Sequence, residues 1–119
     1  MDLVVTVPQD RWKDWLAEGD CADTPPSGRE YEYTVGTTPP IARGERLYIV
    51  AYGKLRGYAP VTAVSCIRGA PGMRTRYFIL RRGDAVACTI DEPIQGFRGW
   101  RTVWWPREAE RPFPQWRDP

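Results

Sequence analysis

Arg46–Gly53, RLYIVAYG, is a nearly continuous apolar run bracketed by Gly44 and Gly53, and it constrains this chain more than any other segment. A run this short, rich in β-branched and aromatic residues and closed by glycines, reads as a buried strand rather than a helix. A tight turn over Gly53–Gly57, GKLRG, leads into a second strand-like run, Tyr58–Arg68. Pro60 lacks a backbone donor, which assigns the beginning of that run to an edge or a bulge. The middle of the chain is therefore committed to β-structure. The 12 prolines and 11 glycines among 119 residues carry the argument to the flanks, where they favour short elements and shaped loops over a helical bundle.

Other strands follow by the same reasoning. Leu3–Val7 is short and β-branched. Arg29–Val35 alternates Tyr31, Tyr33 and Val35 against Glu30, Glu32 and Thr34, the period of a half-buried strand. Strand-like runs also flank a turn at Gly83-Asp84, and a tryptophan-rich strand covers Trp100–Trp105. Between Pro8 and Gly19, Trp12, Trp15 and Leu16 fall at helical spacing, with Asp10 as the expected N-cap and Gly19 as the stop. The length suits one compact domain over 1–119, with 106–119 as an extended, proline-rich tail packed on it. The expected class is mostly β (α+β): five to seven short strands with one or two short helices.

Composition narrows function by exclusion. There is no histidine, so the usual general base and a Ser–His–Asp triad are both missing. Cys21, Cys66 and Cys88 are too widely spaced for a zinc knuckle, and no metal or cofactor is expected. No apolar run approaches the roughly 20 residues that span a bilayer, and MDLVVTVP is too short for a signal peptide. No membrane association is expected, and the expected location is the cytoplasm of a bacterium or of a virus-infected host cell. The net charge of +2 is unevenly placed: residues 1–67 carry 7 basic and 9 acidic side chains, residues 68–119 carry 10 and 6. All the basic residues but Lys13 and Lys54 are arginine, which forks to phosphate and stacks on rings in ways lysine cannot.

The stretch GERLYIVAYGKLRGYAPVTAV, through Gly44, Leu47, Tyr48, Val50, Gly57, Ala59 and Val61, resembles the PUA-like superfamily. It is most similar to the ASCH and EVE branches and to small PUA-like proteins of phages and prophages. The resemblance implies a pseudo-barrel with a helix packed against an opening, and a cleft there that takes RNA or a modified base in DNA or RNA. Some ASCH-type members are amidohydrolases acting on acylated cytidine through a lysine, a threonine and a glutamate. The ASCH motif Gly-x-Lys-x-x-Glu-x-Arg is not present in the first strand–helix region.

Three functions remain open. The first is a nucleic-acid-binding module for single-stranded RNA or DNA or a modified base, acting as a monomer or weak dimer. Its expected contacts are Trp12 and Trp15 on the helix, Lys54 and Arg56 in the glycine-flanked turn, and Arg98, Arg101 and Trp105 near the end. The second is a small amidohydrolase, for which Lys54, Thr62 and Glu45 are the only set that can be assembled. The third is a virus-encoded protein adaptor or inhibitor using the tryptophan-rich end, since Trp and Arg dominate such hot spots. Period-two counting puts Trp100, Thr102 and Trp104 on one face, and Arg101, Val103 and Trp105 on the other. That makes Trp100 and Trp104 the expected core rings, and Arg101 with Trp105 the expected cleft pair.

Overall fold

The computed structural model describes residues 1–17, 30–82 and 85–119. The expected helix stop at Gly19, Cys21, the loop over 23–28 and the Gly83-Asp84 turn lie outside the described residues. The fold is mostly β, a curled half-barrel sheet with one short helix. In chain order the strands are β1 (Leu3–Thr6), β2 (Glu30–Val35), β3 (Arg46–Ala51), β4 (Lys54–Ile67), β5 (Arg76–Arg82), β6 (Val86–Thr89), β7 (Trp100–Thr102) and β8 (Arg111–Pro112). A short 3-10 turn, Gln9–Arg11, leads into helix α1, Trp12–Ala17. Pro8 rather than Asp10 precedes that turn, and its carbonyl accepts the Arg11 N–H.

Strands lie in the order β2-β5-β4-β3-β1-β7, with β6 also against β4 and β8 against β6. β1 and β3 are parallel, and the remaining pairs are antiparallel. Both faces of the β1/β3 pair are covered, which explains why their sequences are apolar without alternation. Leu3, Val5, Leu47 and Ile49 face the interior of the curl with Trp12, Trp15 and Trp116. Val4, Tyr48 and Val50 face a second cluster with Cys88, Ile94 and Trp105.

The β3–β4 hairpin is tighter than expected. Ala51 pairs with Lys54, so the loop is Tyr52-Gly53 alone, with φ of 51° and 74°. Two successive left-handed residues match the right-handed strand twist, the geometry Asn-Gly usually supplies. Tyr52 takes that role here, and its ring meets Trp12 edge-on at 6.3 Å. Further along, Ile49 pairs with Gly57 but Val50 pairs with Leu55, leaving Arg56 as the extra residue of a bulge. A bulge re-aims side chains, and Leu55, Arg56 and Gly57 are all buried in sequence. Gly57 is required where it stands, because a Cβ there would lie 2.4 Å from the Val86 carbonyl oxygen.

Beyond Thr102 the chain leaves the sheet, so the alternation expected through Trp105 has no strand to act on. The consequence reverses the expected assignment of two of the rings: Trp105 is 8% exposed and belongs to the second core cluster, whereas Trp104 is 46% exposed. Trp100, still in the strand, packs against the main core as expected. The tail after Pro106 closes the fold, with Trp116 seated in the main core.

Candidate functional site

Beside α1 the surface opens into a cleft of about 350 Å³, walled by Val7 and Pro8, by Arg11, Asp14 and Trp15, and by Tyr33 and Arg81 from the sheet. Three local features build it. Pro8 turns the chain off β1 into the 3-10 turn, which swings Arg11 and Asp14 to the rim, where they form an exposed 3.6 Å pair. The helical spacing that puts Trp12 and Trp15 on one face packs both rings inward. The β2–β5 ladder sets Tyr31 opposite Arg81, and Tyr33 opposite Ile79.

Arg81 is the unusual residue. It is 3% exposed, and its guanidinium lies 3.9 Å from the Trp15 ring centre and 5.0 Å from that of Tyr31. One of its nitrogens donates to the Arg82 carbonyl at 3.3 Å. A desolvated cation held against ring faces gains more than the same contact in water. Tyr33 donates its hydroxyl to the Thr6 carbonyl at 2.6 Å, and burial raises its phenol above the ordinary value. The buried indole N–H of Trp15 has no hydrogen-bond partner among the described residues, a cost that an acceptor on a bound molecule could remove.

The residues expected from sequence scatter around this cleft. Trp15 lines it. Trp12 is core: its ring meets Trp116 edge-on, and its indole donates to the Arg117 carbonyl at 3.3 Å. Arg56 is 1% exposed and strapped to the tail, donating to the carbonyls of Ala51, Trp116 and Asp118 at 2.9, 3.2 and 2.5 Å. Burial lowers its ordinary pKa somewhat, against the pull of Asp118. Lys54 is exposed and lines a separate recess of about 460 Å³ with Asp91, Glu92 and Arg111. Arg98 and Arg101 are exposed, with the Arg101 guanidinium 4.3 Å above the Phe97 ring. Trp105 is buried, donating to Glu110 at 3.0 Å.

The trio that an amidohydrolase would need, Lys54, Thr62 and Glu45, is not assembled. Glu45 lies beside Val61, whose N–H its carbonyl accepts, so Glu45 and Thr62 are close in the fold. Lys54 sits at the opposite end of the β3–β4 ladder, roughly 20 Å away at about 3.3 Å per residue. Glu45 is also engaged, accepting from the Ala42 N–H and from the N-terminal amine, and these bonds lower its carboxyl pKa.

Arg81, Tyr33 and Arg11 were not among the expected site residues. Arg81 reads from sequence as a solvated strand end, yet Tyr77, Ile79 and Arg81 share one face by alternation. An arginine in register with a buried isoleucine was the available signal. Compared with protein-family models, with curated proteins and with solved structures, the chain has no match that would assign it a family.

Proposed function

We propose that the protein is a nucleic-acid-binding module of PUA-like design that takes one nucleotide, including one with a modified base, into the cleft beside α1. The observation carrying this reading is the Arg81 guanidinium held between Trp15 and Tyr31 at the cleft. A cation stacked on aromatic rings offers a flat, polarised wall to a base and a positive field to its phosphate. Size supports one nucleotide rather than a strand, since about 350 Å³ lies at the low end for small-ligand sites. Arg11, exposed at the rim, supplies a phosphate contact, and the basic balance of residues 68–119 supplies longer-range attraction.

Fluorescence anisotropy with labelled single-stranded RNA and DNA oligonucleotides tests the reading. Binding is expected at about 50 mM salt and should weaken at least about tenfold by about 200 mM, as phosphate contacts exchange with counterions. Arg11→Glu, an exposed rim change, should weaken it at unchanged thermal stability. Absence of binding to either nucleic acid at low salt overturns the proposal.

A further inference from the structure

We propose that the protein self-associates through the outer edge of β4, pairing Ala63–Ile67 antiparallel with the same segment of a second copy. The inference stands independently of the nucleic-acid reading. β4 is fourteen residues long, and its neighbours change along it. Its first half has β3 on one edge and β6 on the other. From Val61 onward β5 takes the β6 edge, while the β3 ladder ends at Arg46↔Pro60 with one more bracket, Val61 bonded to Gly44 and Glu45. Among the described residues, Ala63–Ile67 therefore has a strand on one edge only. Every second residue there directs its N–H and C=O outward, a template for another strand.

Edges left open in this way are normally guarded by charge or proline. β2 carries Glu32 and β7 carries Arg101, but the sequence Ala-Val-Ser-Cys-Ile carries neither guard. Val64 is 37% exposed and Ile67 is 62% exposed. The segment is uncharged, so a copy of itself meets no like-charge penalty.

Three features select a second copy as the occupant. With the two-fold axis at Ser65, Ser65 faces Ser65 of the second copy, Val64 faces Cys66, and Ala63 faces Ile67. Each pair is small against large, apolar against apolar, or hydroxyl against hydroxyl, the combinations that stabilise cross-strand contacts. The slot also has the correct length. Gly44 and Glu45 close it at Val61, so the incoming strand ends with Arg68 opposite Thr62. Two β2-β5-β4 units joined in this way form one six-stranded sheet, an isologous arrangement that closes on itself.

Sedimentation of the full chain over a concentration series should show a monomer–dimer equilibrium. Ser65→Lys places two ammonium groups at the axis and should raise the dimer dissociation constant by at least about tenfold, with an unchanged circular dichroism spectrum. A second measurement reads the register. In a chain carrying Cys21→Ala and Cys66→Ala, added Ser65→Cys should give a disulfide-linked dimer on mild oxidation, whereas added Ala63→Cys should not. A monomeric mass at every concentration, a dimer that survives Ser65→Lys, or equal cross-linking at 63 and 65 overturns the inference.

Discussion

Glu110 does more for this fold than its place in a proline-rich tail suggests. Its carboxylate accepts from the Tyr48 hydroxyl at 2.6 Å, from the Trp105 indole at 3.0 Å and from Arg46 at 3.3 Å. Tyr48 is completely buried, and its phenol is held far above its ordinary pKa, by burial first and then by the bond to Glu110. Removing the carboxylate strands the Tyr48 hydroxyl and the Trp105 indole and takes the counter-charge from Arg46, which keeps its bond to the Tyr48 oxygen at 2.9 Å. Glu110→Ala should therefore cost about 3–5 kcal/mol, and Glu110→Gln, which keeps an acceptor, clearly less, as read by urea denaturation. The neighbouring rings give a sharper contrast. Trp105→Ala opens a cavity beside Tyr48 within the second core cluster and should cost about 3–5 kcal/mol. The same change at Trp104, which is exposed and bonded to Glu92 at 2.8 Å with its ring edge-on to Trp105, should cost about 1 kcal/mol or less. Thermal melts of the two alanine variants check the order, which is the reverse of what period-two counting predicts.

At the scale of elements, the tail behaves as part of the core. Trp116 packs edge-on against Trp12, and Arg56 fastens the carbonyls of Trp116 and Asp118. Deleting residues 113–119 exposes the Trp12 face and removes two of the acceptors that compensate a buried guanidinium. The melting temperature should fall by about 10 °C or more, and calorimetry of the truncated chain tests this. Arg56→Lys should not restore the strap, because an ammonium cannot reach three carbonyls in the guanidinium's planar fork. These strap contacts also mark where sequence reading ends. The early strands and the helix were legible from apolar runs, alternation and the Trp12–Trp15–Leu16 spacing. Arg56 was not, because a bulge breaks the period that would assign its face, and Pro60, which signals an edge or a bulge in this run, stands four residues beyond it. The two-residue hairpin was hidden for a related reason: Tyr52-Gly53 has none of the usual Asn-Gly or Asp-Gly signature. Of the cleft, Trp15 was visible from its helix. For Arg81, alternation with Ile79 signals the face, but its partners Trp15 and Tyr31 follow only from the long-range pairing of β5 with β2, which local periodicity does not encode.

Over the whole molecule, the absence of histidine and the burial of acidic protons together set the dependence of stability on pH. With no histidine in the sequence, no imidazole titrates between the carboxylates and the thiols. Stability should be nearly flat from about pH 6 to about pH 8. Above that range the balance tips. Burial pushes the Cys88 thiol up to about 12, with Glu110 adding to the effect, and burial also raises the phenols of Tyr33 and Tyr48. In the unfolded chain these groups ionise near their ordinary values, about 8.5 for a thiol and about 10 for a phenol. Between the two values the folded state holds more protons than the unfolded one, so stability must fall as pH rises. The contribution is fully present below about pH 8.5 and is lost progressively as pH climbs toward about 12. At pH 10 the thiol alone should remove about 1–2 kcal/mol relative to pH 7, with a smaller share from the tyrosines. Urea midpoints at about pH 6, 7, 8 and 10 check the shape, and Cys88→Ala should remove the thiol part of the decline while leaving the phenol part. The same burial predicts that a thiol reagent at pH 8 labels exposed Cys66 in the folded chain and leaves Cys88 untouched until unfolding. A midpoint that stays constant from pH 7 to 10, or rapid native-state labelling of Cys88, would show that the second core cluster is more open to water than its packing implies.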